Sequence, residues 1–96
     1  MIYSVIDRET ISSLVASIGF TSTKLTKYVT YAFVSVVGGP IRVCTEGTAP
    51  VAATTGVRFT EDSTFEVWGI DALTDFRAID DGGTATLEVV YLGRGS

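Results

Sequence analysis

The chain has no histidine, asparagine or glutamine, and only one cysteine, one tryptophan and two prolines in 96 residues. Without histidine, imidazole acid–base catalysis and His-ligated metal sites are excluded within one subunit. Cys44, alone, can neither close an intrachain disulfide nor share a zinc or iron–sulfur site. It reads as a small buried strand residue. The competing reading, a reactive thiol, rests on Arg42 two positions away on the same face of a strand, where its charge could lower the thiol pKa. No run approaches the roughly 18 apolar residues of a membrane-spanning helix. The N-terminus has an early Asp7 and no basic n-region, so it is unlike a signal peptide and the expectation is synthesis in the cytoplasm.

Charge is also sparse. Seven basic residues stand against eleven acidic ones, a net charge of -4 spread along the chain. There is no electrostatic footprint for tracking phosphates, so nucleic-acid binding is not expected. The sequence predicts no enzyme, no cofactor, no metal and no small-molecule substrate.

What is present is apolar and β-branched. A chain of this length is one domain, which buries roughly two-thirds or less of its unfolded surface on folding alone. With 46% hydrophobic residues it has apolar surface to spare, and self-association is the expected use.

Tyr28 to Val37 is β-branched or aromatic almost throughout, with apolar residues in both alternation classes, which predicts a central strand covered on both faces. Gly38-Gly39-Pro40 then punctuates the chain and Ile41 to Thr45 alternates cleanly, predicting a hairpin. Glu46 to Gly56 is a loop. Val57 to Phe59, Thr64 to Ile70 and Phe76 to Ile79 read as further strands, with a polar turn at Glu61 to Ser63. Between the last two lies a connection, Asp71 to Asp75, whose Leu73 plugs an end of the core. Asp80 to Gly83 predicts a tight hairpin turn into a final strand, Thr84 to Leu92. There Ala85, Leu87, Val89 and Tyr91 form the core face, while Thr86, Glu88, Val90 and Leu92 mix charge with apolar groups as at an interface rim.

Residues 1–27 form an N-terminal strand or arm region. Within it, Ile11, Leu14, Val15 and Ile18 have helical spacing, but the poor helix formers and β-rich surroundings favour a strand from Thr10 to Ile18. Residues 93–96 read as a flexible tail. Short strands with turn signals at intervals of about 8–12 residues predict an all-β, single-domain antiparallel sandwich or barrel.

Candidate sites are few. Asp71, Asp75, Asp80 and Asp81 lack the calcium-loop spacing and read as turn carboxylates. Glu46, Glu61, Asp62 and Glu66 could supply a glycosidase pair only if a common cleft gathered them. Trp68 with Tyr31, Tyr28 and Tyr91 could form an aromatic platform, although packing at a core edge or interface is favoured. Arg42 and Arg77 lie in apolar strands, where a charge needs a partner; an intersubunit bridge to Glu46 or Glu88 and a simple outward position are both open. Trp68, Tyr31, Arg42, Arg77, Glu88, Val90 and Leu92 make up the expected interface set, and Gly47, Pro50, Gly56, Gly82 and Gly83 the turn and loop set.

Ile41-Arg42-Val43, Gly47-Thr48-Ala49-Pro50, Gly56, Phe76-Arg77-Ala78-Ile79 and Ala85-Thr86-Leu87-Glu88-Val89-Val90-Tyr91 together resemble small virion proteins of tailed bacteriophages. The resemblance covers a little over half of the chain. It implies a jelly-roll-like β-sandwich acting as a capsid decoration (cement) or head-surface protein, often trimeric, bound to the major capsid protein on the virion surface. Two other classes stay open: a carbohydrate- or receptor-binding module of a head or tail fibre, and an enzyme of cupin type, which normally needs the histidines this chain lacks.

Overall fold

The computed structural model describes residues 3–12, 14–26, 28–52 and 54–94. Seven strands form two antiparallel sheets: β1 (Tyr3–Ile11), β2 (Val29–Val37), β3 (Ile41–Cys44), β4 (Val57–Phe59), β5 (Thr64–Trp68), β6 (Arg77–Asp80) and β7 (Thr86–Arg94). The first sheet has the order β1-β7-β2-β5 and the second β4-β3-β6. A 3-10 turn (Ser22–Lys24) and one short helix, α1 (Ile70–Asp75), complete the described elements.

Alternation in the strands builds the core. Ala85, Leu87, Val89 and Tyr91 are all buried, as their spacing predicts, and they face Ala32, Val34 and Val36 of β2 on the same sheet and Ile41 and Val43 of β3 on the other. An aromatic chain links the layers. Phe59 stacks on Phe65 at 4.3 Å, Phe65 lies 6.2 Å from Phe76, Phe76 stacks on Phe20 at 4.1 Å, and Phe20 meets the edge of Tyr91 at 5.5 Å. Leu73 of α1 is fully buried and plugs one end, although the predicted connection is a helical turn rather than a loop. The preceding strand correspondingly stops at Trp68, not Ile70.

Both predicted hairpins are corrected. β2 pairs with β5 and β7, and β3 pairs with β4 and β6, so Gly38-Gly39-Pro40 carries the chain from one sheet to the other. Likewise β6 and β7 lie in different sheets, and Asp80 to Gly83 is a second crossing. The two crossings lie against each other. Asp81 N–H donates to the Pro40 carbonyl at 2.9 Å, and a Cβ on Gly39 would sit 3.4 Å from the Cα of Gly83. Glycine at both positions lets two backbones approach closely.

The N-terminal expectation also changes. The strand runs over Tyr3–Ile11 and ends where Thr10 to Ile18 was expected to begin in earnest. Beyond it the chain turns, burying Leu14 and leaving Val15 85% exposed, and meets the free edge of β6, where the Leu14 carbonyl accepts from Asp80 N–H and Ile18 bridges to Ala78. A bulge at Ile6 shifts the register of β1, after which Asp7, Glu9 and Ile11 pair with core-facing Tyr91, Val89 and Leu87. Two carboxylates thus point inward from an edge strand. Glu9 accepts hydrogen bonds from the Thr21 backbone and hydroxyl and from the Tyr91 hydroxyl, and Asp7 pairs with Lys24 at 3.2 Å. A bulge and inward charges are devices that blunt an edge against pairing with other strands.

Of the expected loose tail, Gly93 and Arg94 are paired in β7, and residues 95–96 lie outside the described residues. A Cβ at Gly93 would overlap the Tyr28 carbonyl, so glycine is required where β7 passes the start of β2.

Candidate functional site

The outer face of the first sheet collects most of the expected interface residues. Antiparallel register aligns them in rows across the strands. One row runs Val5, Leu92, Tyr31, Trp68, a second Arg8, Val90, Phe33, Glu66, and a third Thr10, Glu88, Ser35, Thr64. Direct cross-strand neighbours share a face, so each row is a continuous strip of side chains. Tyr31 and Trp68 stack at 4.0 Å, and the indole N–H of Trp68 donates to Glu66 at 2.9 Å. Thr10 donates its hydroxyl to Glu88 at 2.9 Å.

Aromatic and aliphatic side chains fill the first row and the middle of the second, and this patch is open. Trp68 is 47% exposed, Val37 43% and Phe33 39%, with Val90 and Leu92 partly buried beside them. The core covers one face of β2, as expected, and no other described element of the chain covers Phe33 and Val37 on its second face, so any cover there would come from another subunit. Sequence reading did not single out Phe33, Arg8 or Val5. For Phe33 the signal was available, since it shares alternation with Tyr31, but a residue in a run that is apolar on both sides carries no mark of which side faces out.

The aromatic platform forms only in part. Tyr31 and Trp68 meet, whereas Tyr91 is fully buried between the sheets. Its hydroxyl, buried and hydrogen-bonded to Glu9, has its pKa pushed far up, first by burial and then by that carboxylate.

Arg42 and Arg77 lie away from this face, on the second sheet. Arg42 Nε is 3.2 Å from Asp81 and its terminal nitrogen donates to the Gly56 carbonyl at 3.1 Å. Arg58, directly opposite Arg42 in the ladder, donates to the same carboxylate at 2.7 Å. Asp81, its side chain only 6% exposed, therefore neutralises two facing arginines and ties a sheet crossing to β3 and β4. Within the chain Glu46 accepts from Thr48 and Glu88 from Thr10, and Arg42 is served by Asp81 instead. Arg77, exposed on β6, donates to the Ser17 carbonyl at 3.0 Å and to its hydroxyl at 3.3 Å.

The remaining carboxylates are dispersed. Asp80 accepts from the Ala85 backbone N–H, while Asp71 and Asp75 lie exposed on α1. Among the described residues no group of three or more His, Cys, Asp or Glu could hold a metal ion. Glu46 lies in the loop after β3, Glu61 and Asp62 in the turn before β5, and Glu66 on the outer sheet face. Cys44 is buried at the end of β3, and burial followed by the nearby Glu46 pushes its thiol pKa up. That environment lowers thiolate content and opposes the reactive reading. Of the turn set, Gly47, Gly56 and Gly82 all have positive φ (94°, 112° and 112°), Pro50 is buried, and Gly83 lies at the contact between crossings.

A cleft of about 280 Å³ opens between the edge strands β4 and β5, lined by Val57, Phe59, Phe65, Trp68, Glu66 and Ala72 among others. It is apolar with one carboxylate at its mouth. No protein-family model matches the chain, and comparison with known proteins and with solved structures returns no match.

Proposed function

We propose that this chain is a structural protein of a tailed bacteriophage, a capsid decoration protein that binds the outside of the assembled head, made in the host cytoplasm and carried on the virion surface. The observation that carries the reading is the exposed aromatic and aliphatic patch on the outer face of the first sheet, a surface suited to assembly. The residues of the phage-like motif are consistent with it. Gly47, Pro50 and Gly56 shape the loop between β3 and β4, while Phe76 and the alternating residues of β7 fill the core.

The strand order supports the jelly-roll form of this reading. If the Ile18 bridge is counted as a reduced strand beside β6, eight segments divide four and four between the sheets, in the orders β1-β7-β2-β5 and β4-β3-β6-Ile18, an order compatible with a double Greek key. Assembled copies present several weak head contacts at once, and binding only to the assembled lattice stabilises that lattice by mass action. With the first sheet used for assembly, the outer face of the second sheet, carrying exposed Arg58 and Arg77, is left for the coat protein.

The test is co-sedimentation of the purified chain with heads lacking it. Saturable binding at a fixed number of copies per coat subunit supports the proposal, and no binding overturns it. A glycan-binding module is the second reading, favoured by Trp68 hydrogen-bonded to Glu66 beside the cleft. It requires a glycan-array signal that Trp68→Ala abolishes.

A further inference from the structure

We propose that the outer face of the first sheet is a self-association surface on which a second copy of this chain docks face to face, about a two-fold axis parallel to the strands between β7 and β2. The inference does not depend on head binding.

The charge pattern selects this pairing. In the row Arg8, Val90, Phe33, Glu66 the cation stands on edge strand β1 and the carboxylate on edge strand β5, with two apolar residues between. Neither Arg8 nor Glu66 belongs to an ion pair among the described residues. A two-fold axis along the strands maps β1 of one copy over β5 of the other. Arg8 then faces Glu66 of the second copy, and Val90 faces Phe33.

The neighbouring rows are complementary under the same operation. Leu92 meets Tyr31, Val5 meets Trp68, Glu88 meets the hydroxyl of Ser35, and Thr10 meets Thr64. An isologous interface demands this self-complementarity. The other in-plane axis, perpendicular to the strands through this row, would set Arg8 against Arg8 and Glu66 against Glu66. Facing like charges exclude that register.

The size is adequate. Four strands about 4.8 Å apart, three of nine residues and one of five, make a face of about 500 Å², so pairing covers about 1,000 Å² in total, at the lower bound of a biological contact. Sheets stack face to face with strands within about 30° of one another, which suits an axis along the strands. The product is two-fold, and it departs from the trimer that the phage resemblance implies.

Light scattering coupled to size exclusion, over chain concentrations up to about 1 mM, tests this. The expected particle has twice the 10.2 kDa chain mass. Arg8→Glu and Glu66→Arg are each expected to dimerise at least about tenfold more weakly, because each places like charges in contact twice. An equimolar mixture of the two variants recovers the dimer, as does the double variant carrying both changes. Both positions are exposed, and circular dichroism establishes that each variant is folded. A monomer throughout, a trimer, single variants that dimerise like the parent, or a double variant that stays monomeric overturns the proposal.

Discussion

Replacing Asp81 by alanine tests the electrostatic reasoning most sharply. Arg42 and Arg58 are direct partners in the β3–β4 ladder, and Asp81 is the carboxylate that both approach, at 3.2 and 2.7 Å. An arginine cannot shed its proton, so removing Asp81 leaves two facing cations, one with its side chain only 20% exposed. Breaking a buried pair costs about 3–5 kcal/mol. Arg58 is 46% exposed and rehydrates, which reduces the figure to about 3 kcal/mol. In a domain of this size that lowers Tm by about 12–24 °C. Urea unfolding of Asp81→Ala, Arg58→Ala and the double variant gives the coupling: Arg58→Ala should cost little by itself and should recover at least about 1 kcal/mol in the Asp81→Ala background, since it removes the repulsion. An Asp81→Ala protein within about 0.5 kcal/mol of the parent, or strict additivity, would refute the account of this cluster.

Four further outcomes are expected. Tyr91→Phe loses a hydrogen bond to the Glu9 carboxylate and should be less stable by about 1.5 kcal/mol at neutral pH. Because folding raises the Tyr91 pKa, the folded chain holds a proton that the unfolded chain releases above pH 10.0, so parent stability should fall as pH rises past that value and the gap to Tyr91→Phe should narrow, as urea titrations across alkaline pH will show. Leu73→Ala opens a void in a fully buried end plug and should cost about 2–5 kcal/mol by thermal or chemical denaturation. Gly93→Ala drives a methyl into the Tyr28 carbonyl and should cost about 3 kcal/mol or prevent folding, read by expression and circular dichroism. The Cys44 thiol, buried and with a raised pKa, should resist alkylation at neutral pH in the native protein and react readily in urea.

The core was legible in sequence where alternation and burial agree, as in β7 and the residue before it, where Ala85, Leu87, Val89 and Tyr91 fall at every second position. Strand pairing was not. Gly38-Gly39-Pro40 and Asp80 to Gly83 carry the residues of tight turns, and local chemistry specifies only that the chain reverses. Whether the next strand lies beside the last or across from it depends on which faces must be buried together, and that is set by distant partners. β1 stayed partly hidden because Asp7 and Glu9 occupy core-facing positions, breaking the apolar period; Lys24, Thr21 and Tyr91 satisfy them from far along the chain. α1 is too short to show a period. At the surface, the aromatic pair Tyr31–Trp68 was foreseeable from residue type, whereas the row joining Arg8 to Glu66 exists only once β1, β7, β2 and β5 are in register.

Whether this sandwich binds an assembled head is decided by cryo-electron microscopy of heads lacking the chain, imaged before and after its addition. Added density is expected at a regular lattice position, into which the two-sheet fold fits, with no binding to unassembled coat protein. Heads that remain bare at saturating concentrations of folded chain would contradict that expectation.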